Sequence, residues 1–293
     1  MAVVRTAKKL LLGREIDHMI TVAGTNQGEA AKIIDTSQGR IAGLISGQGS
    51  ITIGDLERLA TKLGFADQGY LDALFDLRRD NHKRGFWTTG HMRTYHEDVR
   101  LLVDLEAHAD LLRVVQCEIM PGLVQCEAYI RAAHEGEWPG PGPISADVTM
   151  DQAVQARLAR QEVLVKAAPP EFRAVLSESC LRRVYGNAEV MCDQIAHLIK
   201  LSKRPNILIQ VVPFTVTTRR VSIADRFTLV RVPSPGVAGP LELAYVEAAG
   251  DIRYLDDKKG FSARESVWSR LSAAALNAED SRKFLKYIDG SFQ

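Results

Sequence analysis

The chain has 293 residues, 46% hydrophobic and 25% charged, and its 37 basic and 36 acidic side chains leave a net charge of +1. That composition supports two packed domains and excludes a disordered, collagen-like or strongly polybasic chain. No apolar run approaches the roughly 18 residues needed to span a bilayer, and the N-terminus lacks a secretory apolar region, so a cytoplasmic protein without a membrane partner is expected.

Residues 1–80 read as consecutive short helices. The first, about Lys8 to Val22, places Leu11, Leu12, Ile16, Met19 and Ile20 on one stripe. Asn26 can cap a short helix reaching about Ile34, and Ser37 a third reaching Ile45, followed by a Gly/Ser-rich loop at 46–50. Ile53–Leu63 and Gln68–Arg79 complete a five-helix domain, residues 1–82, ending in a basic joint over 78–85.

From residue 83 the pattern changes. A helix is expected over about Thr94–Ala109, a strand over Leu111–Glu118, and a helix over Val124–His134. The proline- and glycine-rich stretch 136–143 must be a loop. Met150–Lys166 reads as a long amphipathic helix with Val154, Leu158 and Val165 inward and Arg157 and Arg160 on other faces. A strand over Phe172–Leu176 and a helix from its Asn187 cap to Lys203 come next. Strands at Ile207–Val212, Phe227–Val232 and Leu241–Glu247 follow, then helices at about Ala263–Leu276 and Ala278–Ile288. The fold class is α+β: an N-terminal all-α five-helix domain and a larger mixed domain, residues 83–293.

Spacing within the second and third helices fits a helix-turn-helix. Counting from Gln27, small Ala31 is fifth, where two helices cross too closely for a bulky side chain. Asp35 is ninth, in the turn, and apolar Ile41 is fifteenth, plugging the second helix of the pair into the core. Asp tolerates the left-handed conformation better than most residues. Helix 37–45 would then face a major groove, with Ser37, Gln38, Arg40, Ser46 and Gln48 as base-reading candidates. Gln27 would hold a backbone phosphate. Residues 1–66 carry eight cations against six acids, 8 − 6 = +2, which is mildly basic.

Ile16 to Leu63 resembles the XRE-type, phage-repressor-like helix-turn-helix. Beyond it, the stretches Leu105-Glu-Ala-His-Ala109, Met120-Pro-Gly-Leu-Val-Gln125, Arg157-Leu-Ala-Arg-Gln-Glu-Val-Leu164 and Phe172-Arg-Ala-Val-Leu-Ser-Glu178 are similar to the C-terminal domain of actinobacterial toxin–antitoxin-like transcriptional regulators. So are Ile209-Gln-Val-Val-Pro-Phe214, Phe227-Thr-Leu229 and Tyr245-Val-Glu247. This resemblance covers nearly the whole chain. It implies a transcriptional regulator, often encoded beside a small partner protein. The chain departs from the family in its recognition helix, usually richer in Lys and Arg but here Ser37-Gln-Gly-Arg-Ile-Ala-Gly-Leu44.

No catalytic, metal or cofactor motif stands out. The cysteines at 117, 126, 180 and 192 have gaps of 9, 54 and 12, which match no zinc spacing. The seven histidines, His82 and His91 among them, form no metal-binding repeat, and no nucleophile elbow, P-loop or dinucleotide fingerprint is present. Glu106, Arg157, Arg160, Gln161 and Glu178 form either a buried Arg–Glu network that locks the domain or a pocket. Aromatic residues such as Trp87, Tyr95, Trp138 and Tyr245 pack the core or line that pocket. The expected function is that of a homodimeric, sequence-specific regulator of transcription binding double-stranded DNA, its second domain taking a partner protein or small effector. The alternatives are a regulator-like scaffold turned to small-molecule binding or catalysis, and a protein-binding antitoxin module.

Overall fold

The structure, a computed structural model, describes residues 5–79, 93–135, 148–216, 226–248 and 251–292. The joint from residue 80 onward, the 136–143 loop, His82, His91, Trp87 and Trp138 lie outside the described residues. Two compact units emerge: residues 1–88 together with 232–241, and residues 89–231 together with 242–293.

The first unit contains five helices among its described residues, α1 (Ala7–Val22), α2 (Gln27–Ile33), α3 (Gln38–Ile45), α4 (Ile53–Lys62) and α5 (Gln68–Arg79). All five start on a side-chain cap: Thr6, Asn26, Ser37, Thr52 and Asp67 accept from the backbone N–H of Lys9, Glu29, Arg40, Asp55 and Tyr70. Each cap satisfies a donor that the helix itself leaves unpaired. Leu11, Ile16, Met19 and Ile20 are buried as the stripe predicts, with Ile41, Leu56, Leu59 and Leu74. One carboxylate shares this interior. Glu15, 0% exposed, accepts from the Tyr70 hydroxyl at 2.9 Å, the Ser234 hydroxyl at 2.8 Å and the N–H groups of Val237 and Ala238 at 3.1 and 3.2 Å. The segment 232–241 is thereby tied to α1. Burial, and then the charge of Glu15, push the Tyr70 phenol well above its ordinary range.

The second unit opens with α6 (Glu97–His108), β1 (Leu111–Gln116), α7 (Glu127–Glu135), α8 (Met150–Gln161) and β2 (Glu171–Ser177). It continues with α9 (Glu178–Arg182), α10 (Ala188–Leu201), β3 (Ile207–Val212) and β4 (Phe227–Val232). β5 (Leu241–Ala248), β6 (Asp251–Leu255), α11 (Lys258–Ala274) and α12 (Ala278–Asp289) complete it. The six strands form one mixed sheet ordered β3-β2-β1-β4-β5-β6. β1, β2 and β3 run parallel, while β1 with β4 and β5 with β6 are antiparallel. Parallel strands covered on both faces are apolar nearly throughout, and β3 shows this as Ile-Leu-Ile-Gln-Val-Val. Val115, Val175, Phe227 and Leu229 of the sheet pack against Phe261, Trp268 and Leu271 of α11. The α+β class expected from the sequence is the class observed.

Some elements differ from expectation. The helix expected over 150–166 stops at Gln161 and passes into a 3-10 turn, Glu162–Leu164. Three residues per turn replace 3.6 there, so the inward register is lost, and Val165 is 50% exposed rather than inward. Arg157 lies on the buried face of α8 with Ala153, Val154 and Ala156, not on an outer one. The strand β6 and the short helix α9 were not anticipated.

Candidate functional site

Two surfaces carry the residues singled out by the sequence. The first is built on α2 and α3. Asp35 has φ +51°, alone among the described non-glycine residues in holding a positive value, and it turns the chain between the two helices. Ala31 and Ile41 are buried at their close crossing, with Ile34 and Leu44 beside them. Behind α3 stands α1. A Cβ on Gly13 would lie 2.3 Å from the Ile45 carbonyl oxygen and 2.7 Å from that of Leu44, so only glycine lets α1 back this closely onto the end of α3.

Outward, Ser37, Gln38, Arg40 and Gln48 are exposed, and Gln27 and Ser46 are half-buried. The Ser37 hydroxyl is engaged as the α3 cap. Arg40 donates from Nη2 to the Ser50 carbonyl at 3.3 Å, which holds its side chain along the following loop. Nearby charges are paired: Lys32 with Glu29 at 2.7 Å, and Arg58 with Asp35 and Asp55 at 3.2 and 3.1 Å. This all-helical arrangement is consistent with a helix-turn-helix.

The second is a cavity of about 80 Å³ inside the second unit. From α6 comes Glu106 and from α8 come Arg157 and Arg160, while β1 supplies Gln116 and β5 supplies Tyr245 and Glu247. Arg160 forms a two-pronged pair with Glu106, Nε to Oε2 at 2.6 Å and Nη2 to Oε1 at 2.7 Å. Burial alone would lower the Arg160 pKa, but Glu106 outweighs it and the net direction is upward. Arg226 pairs with Glu247 at 3.1 Å, and the Tyr245 hydroxyl donates to the other Glu247 oxygen at 3.1 Å.

Arg157 is different. It is 8% exposed, and among the described residues its hydrogen bond goes from Nη1 to the neutral Gln125 amide oxygen, at 3.0 Å. Among the described residues its buried Nε has no partner, and neither has Oε1 of Gln116. Burial depresses the Arg157 pKa. A Cβ on residue 122 would lie 3.0 Å from Arg157 Nη1 and 3.6 Å from Arg160 Nη1, so Gly122 leaves room for both guanidinium groups. His134, on α7, is held down to about 4, by burial first and then by the positive charge of Arg157.

Four of the five network residues therefore meet in one place. Glu106 and Arg160 pair, Arg157 stands beside them, and Gln161 fastens the turn below by donating to the carbonyls of Gly122 and Gln125 at 2.9 and 2.8 Å. Glu178 does not join them. It starts α9, pairs with Arg182 and accepts from the Phe214 N–H at 2.7 Å. Tyr245, expected in the core or on the pocket wall, lines the cavity, whereas Gln116, Gln125, Arg226, Glu247 and the buried Glu15 carry no sign in the sequence that singles them out. A lone glutamine within a strand gives no local sign that it faces a cavity. Among the described residues no helix is long and apolar enough to cross a membrane, and no group of three or more His, Cys, Asp or Glu is arranged to hold a metal ion.

No curated protein and no solved structure matches the chain. A family match covers residues 99–287, nearly all of the unit that contains the cavity. On that match the chain belongs to the family of a domain of unknown function (DUF5753).

Proposed function

We propose that the protein is a dimeric, sequence-specific DNA-binding regulator of transcription, acting in the cytoplasm, whose second unit binds a small effector. The observation that carries the DNA half is the exposed N-terminal face of α3. It presents Ser37, Gln38 and Arg40 behind a left-handed turn at Asp35, on a crossing sealed by Ala31 and Ile41. Glutamine bridges adenine edges and arginine bridges guanine in a major groove, and the resemblance to XRE-type repressors supports the same assignment. Similarity to toxin–antitoxin-like regulators adds a small protein encoded nearby as a second kind of partner. The effector half is supported by the cavity and its incompletely paired arginine.

A gel shift on the protein's own promoter region tests the DNA half. Wild type is expected to form a discrete complex that survives competitor DNA, and the double variant Arg40→Ala, Gln38→Ala to lose it. Binding that is equally tight on any duplex would overturn the reading. The second reading, a regulator-like scaffold kept for small-molecule binding, is favoured by Gly39 and Gly43 in α3 and by its single cation, Arg40. It predicts no specific complex while ligand binding persists.

A further inference from the structure

We infer that the cavity of the second unit is a receptor site for a small hydroxy monocarboxylate, whose charge is taken by Arg157. This deepens the effector half of the proposed function and does not depend on the DNA half.

The first support is charge. Three guanidinium groups line the cavity, those of Arg157, Arg160 and Arg226, against two carboxylates, those of Glu106 and Glu247, so the lining carries 3 − 2 = +1. Arg160 is matched by Glu106 and Arg226 by Glu247. Arg157, more than nine-tenths buried, has no carboxylate within ion-pair reach among the described residues. A buried charge without a partner is strongly unfavourable. An arginine fork matches the plane of a carboxylate, which makes one monoanion the group that completes this site. A dianion such as phosphate would bring a second charge close to Glu106 and Glu247, and the lining offers no cation to match it.

Size and polarity narrow the class. A cavity of about 80 Å³ is roughly half the volume, on the order of 150 Å³, that accommodates benzene in an apolar protein interior. Val99, Leu102 and Met120 offer apolar wall, enough for a short carbon chain and no more. The unpaired acceptor Gln116 Oε1 faces a buried environment that needs a donor. A ligand hydroxyl supplies that donor without adding charge, whereas an ammonium group would cancel the anion that Arg157 requires.

Glycolate is the probe, with acetate, glycine and phosphate as comparisons, titrated into the full-length chain at constant ionic strength in sodium chloride. Calorimetry gives Kd and thermal unfolding gives the shift in Tm. Glycolate is expected to bind saturably and to raise Tm by roughly 5 °C at a hundredfold excess over Kd. Acetate should bind more weakly, and glycine and phosphate should be indistinguishable from chloride. Arg157→Met should abolish the glycolate shift while its ligand-free Tm holds or rises, because an unmatched buried charge is gone. If Arg157 were only structural, that ligand-free Tm would fall. Arg157→Lys keeps the charge but not the fork, and should weaken glycolate about tenfold or more. Absence of any glycolate binding by wild type, an equal response to phosphate, or undiminished binding by Arg157→Lys overturns the inference. Glycolate binding without an operator complex on the same preparation defeats the regulator reading and leaves this site standing. An operator complex without glycolate binding does the reverse.

Discussion

Glu15 and Arg157 are both charged groups withdrawn from water, and the chain treats them oppositely. Glu15 receives hydrogen bonds from a phenol, a hydroxyl and two backbone N–H groups, so the carboxylate is fully met by donors and its segment is locked. Glu15→Gln would turn an amide NH₂ toward groups that themselves donate. It should cost about 2 kcal/mol, in line with leaving buried donors unsatisfied, read as a lower urea midpoint at unchanged m-value. Glu15→Asp would retain the charge but fall short of Val237 and Ala238, and an intermediate loss is expected. Arg157 acts at a distance as well: burial first, and then the Arg157 charge, hold His134 near 4, below the ordinary histidine value of 6.5. The folded state then keeps His134 neutral while the unfolded chain takes up a proton as the pH falls below 6.5. The unfolded state binds more protons through that window, so His134 makes stability decline from pH 6.5 to about 4. His134→Gln should flatten that part of the stability–pH curve, and a curve unchanged by the substitution would contradict the assigned cause.

The packing of α1 against α3 depends on the missing side chain at Gly13. Replacing glycine by alanine inside a helix ordinarily stabilises by about 1 kcal/mol. Here the new Cβ would meet two carbonyl oxygens at 2.3 and 2.7 Å, and overpacking of that kind typically costs about 1–3 kcal/mol. Gly13→Ala should therefore be destabilising in thermal unfolding and should weaken any operator complex, since α3 must shift. A stabilised variant would mean that α1 and α3 can part without penalty. Helices of this sort were legible from sequence because each buries a stripe at helical spacing and starts on a capping side chain. Neither sign marks β6, Asp-Ile-Arg-Tyr-Leu, an edge strand whose residues are half-buried or exposed. The burial of Arg157 was equally hidden. An arginine on an amphipathic helix reads as solvent-facing, yet the helical period puts Arg157 on one stripe with Ala153 and Val154, and that stripe is the one packed inward. The cavity was half legible, as Glu106, Arg157, Arg160 and Gln161 belong to two helices with recognisable motifs. Gln116, Tyr245 and Glu247 come from strands far apart in sequence. The antiparallel pairing of β1 with β4, and the place of β5 beside β4, bring them to one side, and no local pattern encodes that pairing.

Charge across the chain sets how any DNA complex must behave. With a net charge of +1 overall, the chain as a whole has little excess positive charge with which to hold a duplex by counterion release. Within residues 1–66 the excess is +2, and Lys32 and Arg58 are already paired with acidic neighbours. A dimer placing about two cations per protomer on phosphates would give log K against log salt a slope of roughly −4, whereas a strongly basic binder approaches about −10. Two copies of α3 related by a two-fold axis would reach successive major grooves about 34 Å apart, so the operator should be an inverted repeat with half-sites one helical turn apart. Fluorescence anisotropy between 50 and 200 mM salt, with a footprint on the same fragment, measures both properties together. A slope near −10 would mean that a basic surface other than α3 carries the duplex. A single protected half-site would remove the two-fold arrangement. A shallow slope over two symmetric half-sites is the expected result, and it would mean that base contacts from Gln38 and Arg40 supply affinity that phosphate contacts cannot.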